Sequence, residues 1–115
     1  MGSKNLWSYS EMLVCLSHYA TLSEKERRNP PKYLLLELAN LIGRSTGSIS
    51  LRFANFNSVD PLFIEKGLKS MQGGGGHVQE IWSRFSKNDG TLDLNLLLRN
   101  VSSELYIQLK DKVEG

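Results

Sequence analysis

Gly43 stands between two runs of helical apolar spacing, and a chain that breaks there and restarts at once has few ways to fold. Upstream, Leu38, Leu41 and Ile42 recur at the spacing of one helix face. Glycine enters the left-handed conformation that ends a helix without a Cβ clash, so Gly43 is the expected stop. Ser45 or Thr46 then caps a second helix, a side-chain oxygen accepting from a backbone N–H that has no helical partner. Ile49, Phe53 and Phe56 follow at i, i+4 and i+7 and pack that helix back on the first. Arg52 departs from the usual apolar residue that seats such a helix, and Leu51 or Phe53 takes that role. The opposite face carries Ser45, Gly47, Ser48, Ser50 and Asn55, with Arg44 and Arg52 nearby. A helix, a glycine turn and a second helix with a short polar face form the helix-turn-helix pattern, whose second helix enters the major groove of DNA. An ordinary helical hairpin has the same outline and is the plain alternative.

The rest of the chain provides a helical setting for this unit. Its 115 residues suffice for one domain with a core, and 40% hydrophobic with 23% charged residues excludes a disordered tail. A net charge of +2 permits a nucleic-acid partner without demanding one. One cysteine, Cys15, excludes an internal disulfide and suits a reducing compartment. No apolar run reaches the length of a membrane span, and no signal-peptide core is legible at the N-terminus. Met1-Gly2-Ser3 reads as a cloning remnant, and Leu6 stands where a myristoylation signal needs Ser or Thr.

A first helix opens at Ser8 or Ser10, with Glu11 at its positive end and Trp7 placed to staple its first turn. Trp7 is read as a lid on the core, with a base or a neighbouring domain as the alternative contact. Met12, Leu13, Leu16, Tyr19 and Ala20 form its apolar stripe. Cys15 and His18 share a face but lack a second ligand pair, so they read as packing residues rather than a metal site. Residues 22–31 read as a polar connection ending in Pro30-Pro31, and Pro31 can begin the next helix. Arg27, Arg28 and Lys32 form a small basic cluster there, solvated or touching phosphate. Asp60-Pro61 is a turn and helix start in one, followed by Leu62, Phe63, Ile64 and Leu68, with Lys66 and Lys69 outward. Gly73–Gly76 read as a connector or a close approach to phosphate; His77 and Val78 stand where a nucleotide loop needs its lysine. Val78, Ile81, Trp82 and Phe85 mark another helix, Asp89-Gly90 a turn, and residues 93–113 one or two further helices.

No nucleophile with a base, paired carboxylates or ligand cluster emerges, so neither a catalytic residue, a cofactor nor a metal is assigned and the domain is not expected to be an enzyme. The expected fold is all-α, five to six short helices around a helix-turn-helix, with a winged-helix-like variant as the alternative.

The run Leu41-Ile42-Gly43-Arg44-Ser45-Thr46-Gly47-Ser48-Ile49-Ser50-Leu51-Arg52-Phe53-Ala54-Asn55-Phe56, with Ser58-Val59-Asp60-Pro61, resembles the helical domain ahead of the HNH nuclease domain in many bacterial restriction endonucleases, including modification-dependent ones. The resemblance extends to Trp7-Ser8 and to Ile81-Trp82-Ser83-Arg84-Phe85. It implies a double-stranded DNA-binding, targeting module excised from a larger nuclease of the bacterial cytoplasm, with a C-terminal HNH domain as partner. Sensing of a modified base such as methylated cytosine is part of that expectation. The HNH motif itself is missing from this chain. A homodimer is compatible with two-fold DNA sites. The DNA-binding residues expected are Arg44, Ser45, Thr46, Gly47, Ser48, Ser50, Arg52 and Asn55, with Lys66 and Lys69 beside them. Arg44 or Arg52 would pair with a guanine or anchor phosphate, and the hydroxyls would meet phosphate or base edges. The rival expectation is a protein-interaction domain that docks a nuclease half or a second subunit.

Overall fold

Twelve residues of α1, Tyr9–Ala20, form the centre of the structure. Ser8 caps this helix in a reciprocal box: its hydroxyl accepts from Glu11 N at 3.1 Å, and Glu11 Oε1 accepts from Ser8 N at 2.8 Å. Met12, Leu13, Cys15, Leu16, Ser17, His18 and Tyr19 are all buried, so α1 is enclosed on nearly every side. The computed structural model describes residues 7–64 and 76–101, to which every statement below refers. Lys66, Lys69, Leu68, Gly73, Gly74, Gly75 and the segment 102–113 lie outside the described residues.

The element order is α1, α2 (Glu24–Arg28), α3 (Lys32–Ile42), α4 (Thr46–Asn57), α5 (Pro61–Ile64), α6 (Gly76–Arg84) and α7 (Leu94–Arg99). The fold is all-α. The only bridge between extended backbones is an isolated pairing of Ser86 with Leu92, so no wing of strands is present among the described residues. α1 packs against α4, α6 and α7, and α4 against α1, α2, α3 and α6. Sixteen buried side chains from α1, α3, α4, α6 and the C-terminal segment close into one core, with Trp7 packed at its edge.

Several expectations are refined. Residues 22–31, read as a plain connection, contain α2, because Ser23 and Glu26 form a second capping box. Pro31 is the residue before α3 and supplies no side-chain cap. Gly43 closes α3 at φ 71°, its N–H bonded to Ala39 O at 2.9 Å. Ser45 is the cap of α4, accepting from Ser48 N at 3.1 Å. Phe53, not Leu51, seats α4, for Phe53 is buried and Leu51 exposed.

The aromatic centre of the core is Tyr19, which meets Phe53, Phe56 and Trp82 edge-on at 5.6, 5.3 and 5.8 Å between centroids. Edge-to-face pairs of this kind add about 0.5–1.5 kcal/mol beyond area burial. The Tyr19 hydroxyl reaches out of this apolar cluster and donates to Asp60 Oδ2 at 2.7 Å. Arg27 donates to the same oxygen at 3.0 Å, and Asn57 Nδ2 donates to Tyr19 Oη, Arg27 O and Phe53 O. Asp60 Oδ1 accepts from Leu62 N at the start of α5. Asp60, 1% exposed, thus has both carboxyl oxygens engaged, as a buried polar group requires. Arg27, read as part of a basic cluster either solvated or touching phosphate, is instead engaged in this network. Burial raises the Tyr19 phenol pKa, with the nearby Asp60 charge adding to the effect.

Candidate nucleic-acid interface

α3 and α4 follow one another across a short turn and pack together. The turn is tight because Gly43 N and Arg44 N both donate to Ala39 O, at 2.9 and 3.1 Å. α4 buries Ile49, Phe53 and Phe56, and these fix which face turns outward. Ser45, Gly47, Ser50 and Leu51 are exposed, while Thr46 and Ser48 are half-buried on the flanks. First-turn N–H groups of a helix lack intrahelical acceptors, and the Ser45 hydroxyl satisfies that of Ser48.

The longer polar residues of the expected site face the domain itself. Arg44 grips Glu11 in a two-point fork, Nε to Oε2 and Nη2 to Oε1, both at 2.9 Å. Its guanidinium also stands 4.7 Å from the centroid of the Trp7 ring. The Arg44 fork holds the Glu11 carboxyl below the usual range, against a smaller opposing effect of burial. The same bond raises the Arg44 pKa. Arg52 lies at an equal 4.7 Å from the Trp7 centroid and donates to Asn55 Oδ1 at 3.2 Å. Its pKa is lowered, first by burial and also by neighbouring Arg44. Asn55 is 2% exposed. Arg52 Nε and Asn55 Nδ2 are buried with no hydrogen-bond partner among the described residues. Asn55 is therefore a structural residue of α4, and Arg44 and Arg52 are clamps on Trp7 and α1 rather than side chains extended toward a ligand. Trp7 takes the lid role, and the signal that would have found its partners is a pairing 33 residues apart, Glu11 with Arg44.

Elsewhere the chemistry is sparse. Cys15 is fully buried, and burial pushes its thiol up to about 12, so it is no nucleophile. His18 is equally buried, its Nδ1 3.0 Å from Val14 O. No group of three or more His, Cys, Asp or Glu among the described residues could hold a metal ion. A pocket of about 290 Å³ between α1 and α6 is lined by Trp7, Tyr9, Met12, Ile81 and Arg84, with His77 and Glu80 at 3.9 Å from each other on its rim. It joins no nucleophile to a base. No described helix is long and apolar enough to cross a membrane.

The exposed large apolar side chains concentrate on the helix-turn-helix unit: Tyr33, Leu36 and Leu41 on α3 and Leu51 on α4. No protein-family model matches this chain, and no curated protein or solved structure does so either.

Proposed function

We propose that this domain binds duplex DNA by laying α4 in the major groove, and that it serves a cytoplasmic HNH-type endonuclease as its targeting part. The observation that carries the first half is the outward face of α4. Away from its buried Ile49, Phe53 and Phe56, the helix exposes Gly47, Ser50 and Leu51, directly after a tight glycine turn. The small residues in its first turn admit close approach of the backbone to a groove. Arg44 and Glu11 support that arrangement by bracing the turn against α1, so the recognition helix is held rigidly before any ligand arrives. The link to a nuclease rests on the resemblance of residues 41–61 alone.

The test is binding of a fluorescein-labelled duplex across a salt series, with Ser50→Glu alongside. Phosphate-driven binding weakens linearly in log affinity against log salt. A glutamate at exposed position 50 meets the groove's negative potential and is expected to lower affinity at least tenfold without unfolding the domain. Equal binding by both proteins, or none by a folded sample at low salt, would reject the groove reading. A second reading, docking of a protein partner, is favoured by exposed Tyr33, Leu36 and Leu41 on α3. That contact would be insensitive to salt and to Ser50→Glu, and lost in Leu36→Glu.

A further inference from the structure

We infer that the pocket between α1 and α6 binds a small aromatic carboxylate. α6 buries Val78, Trp82 and Phe85 with the core. Its adjoining face, His77, Glu80, Ile81 and Arg84 at i, i+3, i+4 and i+7, lines the pocket opposite Tyr9 and Met12, three residues apart on α1. Trp7 completes the wall, and no residue of α4 takes part, so the inference does not draw on the groove reading. The space enclosed is about 290 Å³. A dry apolar cavity of roughly 150 Å³ holds benzene, so there is room here for a fused bicyclic ring or a ring with a short chain.

The floor is hydrocarbon, from buried Met12 and Ile81, and the walls are aromatic. The Trp7 wall is set before any ligand arrives. Arg44 and Arg52 each hold a guanidinium 4.7 Å from its ring centroid, and Arg44 is itself forked to Glu11 of α1. A preformed wall loses little freedom when a ligand enters. Arg84 supplies the charge at the mouth, its guanidinium 5.4 Å from the centroid of the Tyr9 ring. The acid on the same rim, Glu80, has His77 Nδ1 at 3.9 Å, whereas Arg84 forms no salt bridge among the described residues. A guanidinium held on a ring face keeps its planar fork of donors for a carboxylate. Apolar floor, flat aromatic walls and a cation at the mouth match a flat apolar body with an anionic end.

The experiment titrates indole-3-acetate, indole and tryptamine into the full chain, followed by nitrogen–proton NMR. The ring is the same in all three, and the side chain is anionic, absent or cationic. A ligand of about a dozen heavy atoms binds weakly, so the titration runs into the millimolar range. Two indole N–H signals report on it. Trp7 lines the pocket, while Trp82 does not and donates its Nε1–H to Gly90 O at 2.9 Å, which makes it the control. The expected result is a saturable shift at Trp7 with Trp82 unmoved, indole-3-acetate binding about five- to tenfold tighter than indole and tryptamine weakest. Arg84→Met and Tyr9→Ala alter exposed positions and are expected to fold. Arg84→Met should bring indole-3-acetate down to the affinity of indole and leave indole unchanged, whereas Tyr9→Ala should weaken both. A folded wild type whose Trp7 signal saturates with none of the probes would overturn the site. Tryptamine binding as tightly as indole-3-acetate, or an undiminished preference for the anion in Arg84→Met, would overturn the carboxylate assignment.

Discussion

Replacing Asp60 by alanine tests whether the polar centre of the core supports the fold or merely tolerates it. Asp60 accepts from Tyr19 Oη at 2.7 Å, Arg27 Nη1 at 3.0 Å and Leu62 N at 3.0 Å, at 1% exposure. The substitution leaves a guanidinium, a phenol and a backbone N–H without their acceptor. Removing one partner of a buried ion pair costs about 3–5 kcal/mol, because the other charge stays desolvated. The Arg27 side chain retains 14% exposure and partly rehydrates, which places the expectation at the lower end, about 3 kcal/mol. Against a total stability of about 5–15 kcal/mol, this is a large share. At about 4 °C per kcal/mol for a domain of this size, the midpoint should fall by about 12 °C. Thermal and urea unfolding followed by circular dichroism give the two numbers independently. Arg27→Met and the double variant complete a cycle, and the coupling should exceed about 1 kcal/mol for groups in direct contact. A loss below about 1 kcal/mol for Asp60→Ala, or strict additivity in the cycle, would show that the fold does not depend on this network.

Two further outcomes follow from local geometry. The Glu11 pKa is depressed in the folded state, chiefly by Arg44, so its contribution to stability is present above the unfolded carboxylate value of about 4.3 and is lost as pH falls through the lowered value. Urea midpoints measured between neutral and acid pH should therefore decline below about pH 4.3 more steeply for wild type than for Glu11→Gln, and parallel curves would contradict this. Gly43 holds φ 71°, and a methyl in place of its Cα hydrogen would stand in open space, so Gly43→Ala should cost about 1–2 kcal/mol through backbone strain alone, and Gly43→Asn less. Equal midpoints for wild type and Gly43→Ala would show that the turn relaxes.

Local signals in the sequence foretell local structure well. The glycine stop of α3, a cap of α4 at Ser45 or Thr46 and the Asp89-Gly90 turn all depend on residues within a few positions of one another. α2 escapes the sequence reading although its capping pair, Ser23 and Glu26, is of the same local kind, because five residues carry too little apolar pattern to register. The site residues are harder for a different reason. Placing Asn55 on a solvent face assumes that α4 packs on one side only, whereas four other helices contact α4 and widen its buried arc. Arg44, Arg52 and Arg27 look available because their partners, Glu11, Trp7 and Asp60, lie 33 to 45 residues away in the chain. Charge pairing at such range leaves no periodic trace.

The enclosure of α1 also sets a timetable for synthesis. α1 leaves the ribosome first, yet its covering helices include α6 and α7, the last of which ends at Arg99. At about 5–20 residues per second, the interval between making Ala20 and Arg99 is about 4–16 s. For about the first half of that interval none of its covering helices is complete, and from Asn57 until α6 is made only α4 covers it. A nascent chain of this kind spends its early life with its central helix unsheltered, and slowing translation after α4 should increase its dependence on chaperones.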